Sequence, residues 1–571
     1  MTSVRASVRA HRRVVVAAAL GLAAAIPPLR AQAPTPAPSV PLARSTADDR
    51  AAPPRLTVGV GSYHFAVSIP ETGDTIEGRA VIAVLRRRTG AADTLPLDLV
   101  AMTVSEVRDA GTGDALPYAY DGRVLRIALP AAPRPGPQTI AVAYRGRPRD
   151  GLVAGTNARG RRSFFADDWP DRARHFIPVV DHPAFKAPVT WEIEAPGRMR
   201  VVANGVLDRV SDLPGGRRSW AYVETRAIPT YTMVFGATEF AASRHRPAVV
   251  GFDTTAIEVW TYPEDSAFAD SVPFRRATEI VEGDIGLIGP FPYRKLAHVQ
   301  SSTRYGGMEN SSAIFYDQGM YVARRMGEGV VRHETAHQWF GDAVTQRDWH
   351  HLWLSEGFAS YFDDVIGAAL DGDSVFVRGI RGSLQGYLRS RVVDRPLVDS
   401  AAPNLMFLLN ANSYNKGALL LHMLRGEVGD SAFFRGVRDY YRTYRDSSVL
   451  SEDFQRVMEG GSGRDLGWFF HQWLYQPGYP QLDVDFRVDS AAGRATLRVR
   501  QIQPAAWGRF RLPRVEVRFF AFEEPAGDRA FSLEPDRTEQ IFVFELGRAV
   551  TGLRIDPDTR LLVTATIRKA P

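Results

Sequence analysis

Residues 333–337 read His-Glu-Thr-Ala-His, and after eighteen intervening residues Glu356 stands in Trp-Leu-Ser-Glu-Gly-Phe-Ala, residues 353–359. On a helix, residues four apart project from one face, so His333 and His337 can offer two imidazole nitrogens to one tetrahedral metal ion. Glu334 lies about 100° further round, where a base that activates a metal-bound water must stand. Glu356 can supply the third protein ligand and leave the fourth position for water. The spacing therefore predicts one zinc ion per chain.

The longer stretch 333–362, HETAHQWFGDAVTQRDWHHLWLSEGFASYF, resembles the zinc segment of the aminopeptidase N and leukotriene hydrolase family, which belongs to the gluzincins. The metal ligands of that family are two histidines and a distant glutamate. The resemblance covers most of the chain and implies a multi-domain α+β fold. We expect an N-terminal all-β, saddle-like domain, a thermolysin-like, mainly helical catalytic domain and a small C-terminal β-sandwich.

A second motif precedes the zinc segment and resembles the Gly-x-Met-Glu-Asn exopeptidase signature of the family. Glycines let a substrate backbone lie close to the chain, and Glu309 can pair with a free α-ammonium group. Without the resemblance, two glycines beside an acid indicate only a turn. The candidate substrate-binding residues are Gly306, Gly307, Met308, Glu309 and Asn310.

A third motif, Ser-Tyr-Asn-Lys-Gly at residues 413–417, resembles the Tyr-x-Lys-Gly helix start of the same family. Amide hydrolysis passes through a tetrahedral oxyanion, and a phenol opposite the metal can donate a hydrogen bond to it. Tyr414 is therefore the second candidate catalytic residue, after Glu334. A tyrosine at a helix start is otherwise most often a packing residue.

The stretch 171–187 resembles the N-terminal domain signature of the family, with one departure just before it. Trp169 falls where several relatives carry a Gln or Glu that helps to hold the substrate amine. This alignment predicts that amine recognition depends on fewer groups here. Asp167 or Asp168 could substitute, and a solvated acidic turn is an equally good interpretation of those two residues.

Composition excludes several classes of protein. The 571 residues are 45% hydrophobic, enough for more than one core. The net charge is +6, but the basic residues, 66 Arg and four Lys, are dispersed along the chain, which argues against a nucleic-acid partner. The chain has no cysteine, which excludes disulfides, a thiol nucleophile and cysteine zinc ligands.

Residues 1–33 have the pattern of a secretory signal peptide. Four arginines precede an apolar run at 14–26, and Ala-Gln-Ala at 31–33 is a small-x-small cleavage site. The apolar run is too short to span a bilayer, so we expect no transmembrane anchor after cleavage. The prediction is an exported protein, periplasmic or extracellular, with a disordered Pro- and Ala-rich linker at 34–54.

Periodicity divides the remaining chain into three parts. An N-terminal β domain is predicted at 55–240, a zinc peptidase catalytic domain at 241–479, and a β-sandwich at 480–571. Helical patterns are predicted at 270–287, 355–370 and 430–475. The predicted strands are 63–69, 80–84, 123–129, 139–144 and 296–299, followed in the sandwich by 482–486, 495–499, 514–522, 540–546 and 561–567.

These observations predict a secreted zinc aminopeptidase whose partners are peptides with a free N-terminus. Two alternatives remain open: a thermolysin-like endopeptidase, and a non-catalytic binding module that has kept the fold. Glu309 argues against the endopeptidase. The joint presence of the three metal ligands with Glu334 and Tyr414 argues against the binding module.

Overall fold

A computed structural model describes residues 52–569 except 55, 87–92, 131–137, 252, 523, 548 and 549. The predicted signal peptide and residues 34–51 of the predicted linker lie outside this range. The chain forms two compact units: the first holds residues 47–355 and 437–454, and the second holds 356–436 and 455–571. The proposed domain boundaries at 240 and 479 stay predictions.

Several strands of the first unit alternate buried and more exposed side chains. In the first strand Tyr63, Phe65 and Val67 are all buried, while the residues between them are more exposed, as expected for a half-buried strand. The strands in chain order are β1 Val58–Ser68, β2 Ile76–Arg86, β3 Asp93–Asp98, β4 Thr103–Asp109, β5 Tyr118–Tyr120, β6 Val124–Leu129, β7 Gln138–Gly146, β8 Leu152–Thr156, β9 Arg162–Ala166, β10 Lys186–Pro196, β11 Arg200–Ala203, β12 Val206–Leu213, β13 Arg217–Pro229, β14 Phe235–Thr238, β15 Ala241–Arg244, β16 Ala248–Val250, β17 Asp253–Thr261, β18 Lys295–Ser301, β19 Gly307–Met308, β20 Ala313–Asp317, β21 Val344–Gln346 and β22 Ser447–Val449.

Most of these strands form four sheets. The largest has the order β12-β13-β10-β1-β2-β7-β4, and smaller sheets have the orders β11-β14-β9-β8 and β3-β6-β5. A mixed sheet follows, β15-β17-β18-β20-β19, with β16 paired to β17. Its strand β18 runs parallel to both neighbours and is buried along its whole length, which is typical of the centre of a covered parallel sheet. This mixed sheet carries the predicted substrate-binding motif in β19.

Helices fill the central part of the chain. The predicted helix at 270–287 is broken in two, because Pro273 cannot continue a helix and stands between α1 and α2. Among the described residues, no helix is long and apolar enough to cross a membrane. The helices are α1 Ser266–Ser271, α2 Ala277–Leu287, α3 Gln318–Val322, α4 Glu328–His337, α5 Trp353–Asp371, α6 Asp373–Leu388, α7 Gly417–Val428, α8 Asp430–Tyr444, α9 Ser451–Ser462 and α10 Gly467–Phe470.

The second unit ends in two small sheets, with the strand orders β27-β24-β23-β29 and β26-β25-β28. Five of these seven strands overlap the predicted ones. β26 and β28 were not predicted, because Pro525 and Gly527 give β26 the composition of a turn and β28 is only four residues long. The strands are β23 Gln481–Asp489, β24 Arg494–Gln501, β25 Leu512–Ala521, β26 Glu524–Leu533, β27 Glu539–Glu545, β28 Gly552–Ile555 and β29 Thr564–Lys569.

Candidate metal centre and active site

The two predicted histidine ligands face each other on α4. Their Nε2 atoms are 3.1 Å apart. Nδ1 of His337 lies 3.0 Å from the carbonyl oxygen of Phe340 and 3.0 Å from Oγ of Ser355. Donation from Nδ1 to the carbonyl fixes the tautomer of His337, so its Nε2 carries the lone pair that a metal needs.

Glu356 completes the predicted ligand set from the first turn of α5, one residue after Ser355. Ligand atoms of His333, His337 and Glu356 all lie within 4.8 Å of one another. Two imidazole nitrogens bound to one tetrahedral zinc stand about 3.3 Å apart, close to the separation of the two Nε2 atoms here. Two nitrogens and one carboxylate oxygen are the donor set of a catalytic zinc site, so these residues fit the ion.

The predicted base and the predicted amine-binding residue belong to the same cluster. Ligand atoms of Glu309, Glu334 and His337 lie within 4.8 Å of one another, and each of the three residues is at most 6% exposed. Asp342 lies nearby, and burial together with the charge of Glu309 raises the pKa of its carboxyl group well above the ordinary value. A buried concentration of carboxylates such as this one attracts cations, either a metal ion or an ammonium group.

Gly307 passes directly over the side chain of Glu334. A Cβ atom on Gly307 would stand 2.6 Å from Cγ of Glu334 and closer still to its carboxylate. Only glycine fits there, and the group that approaches it is the predicted base. At Gly306, in contrast, an added Cβ meets nothing within 4 Å, so a side chain fits there without a clash.

Gln338 is a site residue that the sequence analysis missed. It is fully buried, and its Oε1 accepts a hydrogen bond of 2.8 Å from the backbone N–H of Ser312. Its Nε2 donates to the carbonyl of Glu309 at 2.8 Å and to Asp342 at 2.9 Å. Gln338 thereby ties the segment that carries Glu309 to the end of the histidine helix. A polar residue directly after the second histidine was the only signal in the sequence.

The other residues of the substrate-binding motif point into the protein. Met308 is 3% exposed and Asn310 is fully buried. Asn310 accepts a hydrogen bond of 2.9 Å from the backbone N–H of Ala313 through its carbonyl oxygen. This backbone hydrogen bond shapes the turn between β19 and β20, one residue after Glu309.

Tyr414 lies in a π-helical turn, Asn412–Lys416, rather than in the first turn of an α-helix; α7 begins only at Gly417. Its side chain is partly exposed. The turn packs closely on α5, because a Cβ on Gly357 would stand 2.8 Å from Cα of Gly417. The glycine contact therefore brings the turn of Tyr414 against the helix of Glu356. Single-turn π-helices occur often at functional sites.

Trp169 is a packing residue, only 2% exposed. Its ring lies edge-on to Tyr305 at 6.1 Å and to Trp349 at 5.4 Å between centroids. The interpretation of the two preceding aspartates as a solvated turn is wrong, because Asp167 and Asp168 are fully buried. Burial raises the pKa of both carboxyl groups.

Comparison with known proteins gives two family matches. The profile described as "Peptidase M1 N-terminal domain" matches residues 61–232, and the one described as "Peptidase family M1 domain" matches residues 285–473. Probable aminopeptidase 2 of Sulfurisphaera tokodaii is 30% identical over 330 residues, 55% of this chain and 41% of that protein. Aminopeptidase N of Lactococcus lactis is 29% identical over 340 residues, 56% of this chain and 39% of that protein. The matches thus span about two fifths of the length of these relatives.

Solved structures with the same fold include two bacterial proteins. An M1 zinc metallopeptidase from Deinococcus radiodurans has a TM-score of 0.66 and 23% identity, covering 76% of this chain and 97% of that chain. Aminopeptidase A from Legionella pneumophila, in complex with aspartic acid, has a TM-score of 0.76 and 19% identity, covering 90% and 60%. The chain therefore has the fold in which an N-terminal β-rich domain precedes a helical catalytic domain, as the sequence predicted.

Proposed function

This chain belongs to peptidase family M1, and on that premise we propose that it is a zinc-dependent aminopeptidase that removes the N-terminal residue from peptides with a free N-terminus. The observation that supports this function best is the clustering of Glu309 with Glu334 and His337. In this proposal, the carboxylate of Glu309 pairs with an α-ammonium group, and that of Glu334 stands beside the metal site.

Each group in the site has a distinct task. His333, His337 and Glu356 would hold a zinc ion, which when bound would supply Lewis-acid chemistry and a lowered pKa for water. Glu334 accepts a proton from the attacking water and returns it to the leaving amine.

Two further residues bind the substrate and its transition state. Glu309 pairs with the α-ammonium group, which sets the cut after one residue. The phenol of Tyr414 donates a hydrogen bond to the carbonyl oxygen as negative charge develops on it.

A thermolysin-like endopeptidase is the alternative that uses the same zinc ligands and the same base. Glu309 favours the exopeptidase, because its buried carboxylate, 5% exposed, would face an uncharged part of an internal peptide. A substrate ammonium group can form a charge-assisted hydrogen bond to this carboxylate, and an internal peptide segment cannot.

We also propose that the protein is exported to the periplasm or beyond. The support is the arginine-rich start, the apolar run at 14–26 and the Ala-Gln-Ala at 31–33. Signal-peptide cleavage after Ala33 would give a mature chain beginning at Pro34. N-terminal sequencing of the protein recovered from the periplasm or medium tests this, and an intact residue 1 there would contradict it.

Glu334→Gln tests the proposed chemistry. The variant should keep about one zinc per chain and lose at least about 10²-fold in kcat, because the general base is gone while the ligands remain. His337→Ala, as a matched change, should lose the zinc itself. A Glu334→Gln protein within threefold of wild-type kcat would reject the mechanism.

A further inference from the structure

Lys416 is a fully buried lysine two residues after Tyr414. Its Nζ donates to the carbonyl oxygens of Gln476 at 3.2 Å and Gly478 at 3.4 Å, and lies over the ring of Tyr387 at 5.7 Å from the centroid. Among the described residues, no carboxylate lies within 4 Å of this nitrogen. Burial lowers the pKa of Lys416 to about 7, and the amine and the ammonium can both donate to two carbonyls.

Position 416 carries one of the few lysines in a chain whose basic residues are almost all arginine. The chain uses arginine at 66 of its 70 basic positions. Lys295 and Lys416 are buried and Lys186 is half-buried, and all three donate to backbone carbonyls. A compact ammonium on a flexible stem fits such a pocket, and a planar guanidinium does not. Burying the Lys416 amine costs free energy of solvation, which its hydrogen bonds to two carbonyl oxygens partly offset.

Two other side chains of the π-turn also donate hydrogen bonds to backbone carbonyls. The side-chain amide of Asn412 donates to the carbonyl oxygens of Val392, Arg395 and Pro396 at 3.1–3.3 Å. Oγ of Ser413 donates to the carbonyl oxygen of Leu408 at 2.7 Å. Asn412, Ser413 and Lys416 are therefore all held by backbone carbonyls, and Tyr414 stands between them.

The geometry of a helical turn relates Lys416 to Tyr414. Residues two apart in a helix point about 160–200° away from each other. Lys416 points inward, to the segment 476–478, and Tyr414 is partly exposed. Because the backbone between them is short, fixing the ammonium end of Lys416 limits where the phenol of Tyr414 can move.

We propose that Lys416 is a positioning residue for catalysis: its bonds to Gln476 and Gly478 hold the π-turn so that the Tyr414 phenol meets the oxyanion. The inference rests on the proposed function. Lys416 itself touches neither substrate nor metal. Its effect therefore passes entirely through Tyr414, and it should disappear once the Tyr414 hydroxyl is removed.

A double-mutant cycle tests this dependence. The proteins are wild type, Lys416→Met, Tyr414→Phe and the double variant, assayed for kcat and KM on an aminoacyl-aminocoumarin substrate, with zinc content measured for each. Lys416→Met should lower kcat about tenfold or more, as expected for a misplaced group, with KM and zinc content within twofold of wild type. In the Tyr414→Phe background, the same change should alter kcat less than twofold.

Rescue separates positioning from general damage. The chain has no cysteine, so Lys416→Cys carries a single thiol, which can be aminoethylated in denaturant before refolding to give a lysine analogue. We expect kcat to return to within threefold of wild type. If Lys416→Met does not fold, Asn412→Ala removes a second set of hydrogen bonds that hold the same turn. It should lower kcat in the wild-type background and change kcat less than twofold in the Tyr414→Phe background.

The inference would be overturned if the double variant lost kcat by the product of the two single-variant factors. It would also be overturned by a Lys416→Met protein within twofold of wild-type kcat, or by a Tyr414→Phe protein with wild-type kcat. These outcomes are all read on an active wild type. A zinc-loaded wild type that cleaves no free-amine substrate would instead reject the proposed function, and this inference with it.

Discussion

Gly307→Ala should nearly abolish catalysis without unfolding the protein. The added Cβ would stand 2.6 Å from Cγ of Glu334, whereas carbon atoms in contact are about 3.5–4.0 Å apart. The carboxylate of Glu334 must therefore move by about 1 Å. Displacement of this size at a reacting group costs about 10²-fold in rate. The moving atoms are the end of a flexible side chain, so stability should change little.

Gly306→Ala is the matched control, because an added Cβ there meets nothing within 4 Å. The assay is kcat on an aminoacyl-aminocoumarin substrate at saturating concentration, with zinc content and thermal midpoint measured on the same samples. We expect a loss of about 10²-fold for Gly307→Ala and less than threefold for Gly306→Ala. Equal activity in the two variants would refute the placement of Glu334 beneath Gly307.

Three further changes probe the amine site, the metal site and a buried charge. Glu309→Ala should lower kcat/KM on free-amine substrates by ten- to a hundredfold, since a charged pair is worth about 1.5–3 kcal/mol; unchanged kinetics would contradict its role. Ser355→Ala should weaken zinc affinity about tenfold, as expected when a partner of a ligating histidine is lost, measured by competition with a chelator. The third change concerns Lys295, whose pKa is lowered to about 8, chiefly by burial. Unfolding returns that pKa to its ordinary value of 10.5, so between pH 8 and 10.5 the unfolded chain carries a proton on Lys295 that the folded chain has lost. The free energy of unfolding of wild type should therefore rise with pH relative to that of Lys295→Met, by up to about 1.4 kcal/mol per pH unit. A difference in denaturation midpoint between wild type and Lys295→Met that is the same at pH 8 and at pH 10 would contradict this prediction.

The proximity of the candidate zinc ligands could be predicted in part, because the geometry of the two histidines is local. Helical spacing alone places His333 and His337 on one face, and Glu356 was predicted as the third protein ligand that a metal held by two histidines still needs. Apolar patterning likewise predicted five of the seven described strands of the second unit, but only five of the 22 described strands of the first. In each case the information lies within a few consecutive residues.

The supporting contacts could not be predicted, because they join residues far apart in sequence. Gln338 binds the Glu309 segment 29 residues earlier, and no local pattern marks it. The π-turn at 412–416 depends on carbonyls from other segments, so a helix start was the natural prediction. Trp169 illustrates the opposite case: alignment indicated a missing amine ligand, but only the structure shows that its ring packs against Tyr305 and Trp349.

The most direct test of the central claim is a paired digestion of one peptide, with a free and with an acetylated N-terminus, followed by mass spectrometry. The zinc aminopeptidase proposed here should shorten the free peptide one residue at a time and leave the acetylated peptide uncut, because Glu309 has no ammonium group to bind. Internal cleavage of both peptides at similar rates would contradict the account and establish the endopeptidase in its place.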